Sequence, residues 1–345
     1  MHVSAVAADN NVKQHVGEAR NLSATAFRRV LACIDESEFS NKLIPHAVAV
    51  AEALHAPLTL LRVLEVAHHE GVPPDPIAWS IHRREAQDDI DRMARDQDRM
   101  CGSIDTIVVE GEPAEQICRW ARANEMPLTV IGTSGGGGAT EWELGDTARK
   151  LIDRATGAVL LVPSSVSHTR TVHYRRLLVP LDGSCQAESV LPLAISVAEA
   201  EEAELLLAHV VPTPELTEIG PLEADDHKLR EQVASRNERV ARHYLDRVRA
   251  GIAERGIAVR SIVLREGDAR SRLARFIVDK VVDLVVLSSH GRTGRADVSC
   301  GSVAAYLLTH ASAPVLMVLR GAERSIHSRP HMDHRGGRVS SRASL

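Results

Sequence analysis

The chain has 345 residues, enough for roughly two domains of about 150 residues, each able to bury its own core. Hydrophobic residues make up 44% and charged residues 25%, which excludes a collagen, a small disulfide scaffold and a wholly disordered chain. A net charge of −5 and 3% aromatic residues remove the basic footprint of a DNA binder and the stacking platforms of single-strand binders, so no nucleic-acid partner is expected.

Residues 1–26 have neither a basic start nor a long apolar stretch, so they do not read as a signal peptide. No apolar run reaches about 18 residues, so no membrane partner is expected. Cys33, Cys101, Cys118, Cys185 and Cys300 form no CxxC pair. A zinc or redox motif is therefore not indicated, and sparse thiols suit a reducing compartment, the cytoplasm.

The elements then run twice. RVLACID at 29–35 and RLLVPLD at 176–182 are first strands ending in Asp35 and Asp182. The offset of 147 persists through Pro45 and Pro192, Ala47 and Ala194, and Val63 and Val210. Ala-rich helices are predicted near 40–55 and 187–202, and second strands at 58–64 and 205–211. A longer helical connection follows, marked in the second copy by Val233, Val240, Tyr244, Val248 and Ile252 at helical spacing. From Gly111 and Gly267 onward the offset is 156. Fourth strands LTVIG (128–132) and LVVLS (284–288) lead to glycine-bearing loops, a helix, and last strands VLLV (159–162) and VLMV (315–318). A length change confined to one connection is what a duplicated domain shows. Continuous aliphatic strands alternating with helices predict α/β architecture, with parallel sheets covered on both faces. The expected organisation is a tail at 1–26, domains at 27–163 and 174–320, a short polar linker at 164–173, and a basic disordered tail at 321–345.

Ligands of open α/β sheets sit outside the carboxyl ends of the strands. In the second copy that rule selects Pro180, Leu181 and Asp182, then Val210, then Leu287, Ser288, His290, Gly291 and Arg292, and finally Gly301, Ser302 and Val303. Gly291 and Gly301 let a phosphate or ribose approach the backbone. Ser302 sits beside the free N–H groups of a helix start, which bind anions. Asp182 can accept hydrogen bonds from an adenine amine or a ribose. The same residues also suit purely structural use: Ser302 as a helix cap, Gly291 as a chain turn, Asp182-Gly183 as a turn. His290 reads as a loop histidine contacting backbone or ligand.

The pattern Gly-x2-Gly-x9-Gly-Ser/Thr after the fourth strand, with Asp ending the first, resembles the universal stress protein family. LLVPLDGSCQAESVLPLA at 177–194 looks like the start of such a domain, and DLVVLSSHGRTG at 283–294 like its fourth strand and loop. The resemblance covers both copies. It implies two tandem, doubly wound, five-stranded parallel-sheet domains of the adenine nucleotide α-hydrolase-like type. It also implies a split between ATP-binding and non-binding members. In binders, positions matching Asp182 and Val210 hold adenine, and the loop and Gly-Ser hold ribose and phosphates. The last strands are expected to pair as an intrachain pseudo-dimer, with a homodimer of chains beyond that.

The copies depart from the pattern differently. The second keeps Gly291, Gly301 and Ser302 but has Ser288 for the first glycine. The first keeps Gly132, Gly135 and Gly145 with Asp35 and Val63, yet places Asp146 where Ser or Thr is expected. A carboxylate there repels phosphate, although it suits a helix cap. The expected function is an ATP-binding stress or regulatory protein, with its site mainly in the second domain. Mg2+ enters only as the companion of ATP. The alternatives are an interaction module without nucleotide and an adenylate-handling enzyme. No Walker motif occurs, Ser134-Gly135-Gly136 follows the wrong strand for a pyrophosphatase loop, and no general base stands out. Neither a catalytic residue nor a resident metal is therefore expected.

Overall fold

The computed structural model describes residues 29–65, 75–101, 104–123, 128–133, 144–167, 169–214, 224–265, 267–291 and 300–319. The two expected tails, Gly135 and Arg292 lie outside the described residues.

The first repeat unit contains β1 (Val30–Ile34), α1 (Ser40–Ala53), β2 (Leu58–Leu64), α2 (Pro76–Cys101), β3 (Asp105–Glu110), α3 (Pro113–Ala123), β4 (Leu128–Gly132), α4 (Asp146–Arg154) and β5 (Ala158–Val162). The second contains β6 (Arg176–Pro180), α5 (Cys185–Glu188), α6 (Leu191–Ala200), β7 (Glu204–Val211), α7 (Ala224–Ala253), β8 (Val259–Arg265), α8 (Ala269–Asp279), β9 (Leu284–Ser288), α9 (Ser302–His310) and β10 (Val315–Val318). The single helix predicted at 187–202 is divided. Pro192 has no N–H, and its ring collides with the carbonyl of Glu188, the residue at which α5 ends. Pro45 at the matching position is accommodated inside α1.

All ten strands form one sheet in the order β3-β2-β1-β4-β5-β10-β9-β6-β7-β8. Every neighbouring pair is parallel except the central one. There β5 and β10 run antiparallel, with Leu316 opposite Leu160 and Met317 opposite Val159. The expected pseudo-dimer of the two copies is thus a continuous sheet. Alternating side chains feed two apolar layers, each running through both repeat units. Leu160 and Leu316 enter one layer and Val159 and Met317 the other, as strand alternation requires.

On the first layer α1 packs against α6 across the central pair. The connection between the units is less polar than its composition suggests. Val166 and Val172 pack on this layer, and Tyr174 is fully buried. The Tyr174 hydroxyl lies 3.0 Å from His46 Nδ1 on α1. Burial lowers the His46 pKa from 6.5 to about 4, so the ring is neutral in the folded chain.

His46 makes a specific pH signature. Its folded pKa is depressed, so between about pH 4 and 6.5 the unfolded chain binds the extra proton and stability rises with pH. On lowering pH through that window the folded state loses on the order of 3 kcal/mol, at about 1.4 kcal/mol per unit. Urea denaturation at pH 7 and pH 4.5 is expected to show a markedly smaller loss in His46→Gln than in the unchanged protein. An identical loss in both would remove His46 as its source.

Candidate functional site

Within each unit the strand order reverses between the first and fourth strands, β1 and β4 or β6 and β9. At that reversal the flanking connections leave in opposite directions and open a crevice beyond the carboxyl ends. In the second unit the crevice is a cavity of about 170 Å3 that opens to solvent. It is lined by all eleven described residues that the sequence selects: Pro180, Leu181, Asp182, Val210, Leu287, Ser288, His290, Gly291, Gly301, Ser302 and Val303.

Three hydrogen bonds set its walls. The β6 end is tied to β7 by Leu181 N–H donating to the Ala208 carbonyl at 2.8 Å. His209 Nδ1 donates to the Leu181 carbonyl at 2.7 Å, since a carbonyl only accepts. Across the crevice, Gly301 N–H donates to the Ser289 carbonyl at 2.7 Å, pinning both ends of the loop that leaves β9. The first unit repeats this pin between Gly145 N–H and the Thr133 carbonyl at 2.7 Å.

Asp182 serves two purposes. One carboxylate oxygen, Oδ1, accepts from Ser184 N–H at 2.9 Å and Ser184 Oγ–H at 2.6 Å, holding the turn that Gly183 makes at φ +81°. The other, Oδ2, lies against Gly291, where a Cβ would come within 2.3 Å of it. A side chain at 291 would therefore force the Asp182 carboxylate to shift, and the turn that Asp182 holds is its structural use.

Neither Ser302 nor Asp146 caps its helix through a side chain, contrary to the capping expectation. Gly301 and Gly145 occupy the N-cap positions without side-chain bonds, and Ser302 and Asp146 are first helical residues. Ser302 is exposed on the crevice. The first-turn N–H groups of Ser302, Val303 and Ala304 have no intrahelical acceptor, and all three residues line the cavity. Ser288, the departure from the glycine pattern, turns its hydroxyl back onto the His290 carbonyl. His290 is buried, with Nδ1 3.0 Å from Ser289 Oγ. It thus has a side-chain hydroxyl of its own loop as a partner.

The first unit is arranged otherwise. Asp35 accepts from Ser37 N–H at 3.0 Å and from the Ser37 and Ser40 hydroxyls. Val63 and Gly132 are half-buried at their strand ends. Asp146 is 75% exposed and pairs with Lys150 Nζ at 2.7 Å. Lys150 also reaches Glu112 at 3.0 Å, and Glu112 accepts from Glu115 N–H at the start of α3. The Lys150 hydrogen bond holds the Asp146 carboxyl below the usual range.

The sequence reading missed His209, Ala208, Ser289 and the α8 residues Ala269 and Leu273, all of which line the crevice. His209 precedes the selected Val210, so its signal was present. Ala269 and Leu273 carry no chemistry that a motif could flag. Among the described residues no group of three His, Cys, Asp or Glu side chains could hold a metal ion, and no helix is long and apolar enough to cross a membrane.

The family model described as "Universal stress protein family" matches residues 26–163 and again 173–318. A universal stress protein of Mycolicibacterium smegmatis is 25% identical over 306 residues, covering 86% of this chain and 98% of its own. A universal stress protein of Mycobacterium tuberculosis H37Rv is 26% identical over 297 residues, covering 84% and 95%. Among solved structures, a universal stress protein from Archaeoglobus fulgidus superposes with a TM-score of 0.60 at 18% identity, over 87% of this chain and 99% of its own. At that identity the superposition speaks for the fold.

The contact between Asp182 and Gly291 is testable by a double-mutant cycle. Gly291→Ala is expected to destabilise the chain by roughly 1–3 kcal/mol through overpacking. In an Asp182→Ala background the same change should cost far less, because the clashing oxygen is gone. Equal costs in both backgrounds, read from urea midpoints, would show that the two residues do not press on one another.

Proposed function

The chain belongs to the universal stress protein family, and we propose that it is an ATP-binding member, acting as a nucleotide-responsive stress or regulatory protein with its site in the second unit. One observation carries this reading: the N-terminus of α9, which has no side-chain cap from Gly301, lines the same crevice as Asp182, Val210 and Gly291. An apolar wall from Val210, Leu287 and Leu273 suits a purine face. Asp182 stands where the exocyclic amine or a ribose hydroxyl would be recognised. The first-turn N–H groups and the Ser302 hydroxyl supply donors for phosphate oxygens, and the helix dipole favours negative charge there. Mg2+ would arrive with ATP, held chiefly by phosphate oxygens and water.

The first unit supports the opposite assignment. Asp146 places a carboxylate at the start of α4 and Glu112 places one at the start of α3, with Lys150 bridging both. Those helix ends already have an internal anion, and its cation is already shared. A triphosphate there would meet like charge. In this reading ATP is a ligand that biases conformation or assembly, and the cytoplasm is its setting.

The proposal has a direct check. Protein purified under native conditions, then denatured, is expected to release ATP or AMP, and calorimetric titration of stripped protein should give one site. Ser302→Ala is expected to weaken ATP about tenfold, the loss of one hydrogen bond to a charged group. Ser302→Asp, which installs the acid of the first unit, should abolish binding, while Asp146→Ala leaves the isotherm unchanged. Absence of both released and titratable nucleotide would favour the interaction-module reading. Turnover far above stoichiometry would favour an enzyme.

A further inference from the structure

The sheet-facing stripe of α7 changes character along its length. Ala241, Leu245, Val248 and Ile252 recur at helical spacing and are buried. Carried back toward the start of the helix, the same stripe reaches Ala234, Glu231, Arg230 and His227. At 30 residues α7 is about 45 Å long, whereas the eight-residue β7 spans about 26 Å. The charged half of the stripe therefore runs on past the carboxyl end of the strand. Charges on the solvent side of a helix are ordinary, but charges on the side turned to the sheet call for a partner.

These four residues form one side of a cavity of about 250 Å3. Its other side is the end of β7, with Pro212 and Pro214, and Arg265 at the end of β8. No residue lines both this cavity and the crevice described above. Val210 lines the crevice and Val211 this cavity, as alternation along a strand places them on opposite faces. The first unit is built differently at the corresponding point. Trp79 precedes the buried Ala86 by the same spacing at which Ala234 precedes the buried Ala241, and Trp79 packs on the core. Alanine in that place leaves room that an indole would take.

The charges at the cavity do not cancel. Arg265 is committed, with Nη2 2.9 Å from Glu231 Oε1 and Nε 3.4 Å from Glu238 Oε2. Glu238 in turn holds Arg242 at 2.6 Å, so these two arginines and two glutamates balance. Arg230 stands outside that cluster. Among the described residues it has no hydrogen bond or ion pair, and its Nε is shielded from water. A guanidinium N–H cut off from water without an acceptor is costly. The fork made by Nε and a terminal nitrogen matches the two oxygens of a carboxylate. One uncompensated positive charge suits a monoanion better than a phosphate dianion, and Val211, Pro212 and Pro214 supply an apolar wall. We propose that this cavity binds a small carboxylate with an apolar body. The carboxylate pairs with Arg230, and the hydrocarbon part lies against Pro212, Pro214 and Ala234.

Saturation-transfer NMR on the full chain, with isovalerate as the probe, tests this. Isovalerate is expected to bind, and its neutral amide, isovaleramide, to bind roughly tenfold more weakly, since it lacks the charge that Arg230 pairs with. Arg230→Gln should weaken isovalerate by a similar factor. Because Arg230 has no internal partner, that variant should keep the urea midpoint of the unchanged protein. Ala234→Trp, which puts the indole of the first unit into the cavity, should also remove binding. Inorganic phosphate at equal concentration should not displace the probe. No transfer to isovalerate, equal binding of the amide, indifference to either variant, a lowered midpoint in Arg230→Gln, or displacement by phosphate would each overturn the proposal.

Discussion

The antiparallel pairing of β5 with β10 is the contact on which the rest of the structure depends. Each repeat unit alone would end in an uncovered, wholly apolar last strand, an open invitation to aggregation. Joining these two edges removes both at once and merges two apolar layers into two that span the molecule. The pairing also fixes where everything else sits. It brings α1 against α6 and makes a buried niche for Tyr174 and His46 out of what would otherwise be linker and surface.

The same pairing reverses the strand direction between the units, so the two crevices open at opposite ends of the sheet. Cys300, next to the pinned end of the second loop, is half-buried, and its thiol pKa is pushed up to about 12, mainly by burial and then by the carboxylate of Asp153 at the far end of α4. The charge of Asp153, in the last turn of α4, is thus felt at a cysteine of the other unit.

Duplication left the backbone of the two crevices alike and changed their chemistry. The loop pins at Gly145 and Gly301 have the same donor, the same acceptor position and the same length. Both aspartates at the first strand ends hold a serine turn. The difference is electrostatic: one unit places Asp146 and Glu112 around Lys150 at its helix starts, and the other has no acidic residue in the first turn of α9 and no side-chain cap from Gly301. The α/β frame tolerates either choice, because these residues lie beyond the strand ends and carry no part of the core.

The sequence by itself determined the two-fold repetition, the ten strands and most of the helices between them, and eleven of the eighteen residues that line the second crevice. Strand runs such as VLLV and LVVLS and the matched glycines are local signals, and the strand-end rule converts them into a place. Tertiary structure decided what depends on residues distant along the chain. Gly291 looked like a loop glycine, and only the fold sets it against Asp182. Val240 continued a helical period, yet it lies about 100° round α7 from its buried neighbour Ala241 and faces water. Ser302 and Asp146 looked like caps, and only the loop pins at Gly301 and Gly145 move the cap back by one residue. Periodicity reports which side of a helix is apolar. Whether anything is there to cover that side is a property of the neighbouring elements, and no local pattern encodes it.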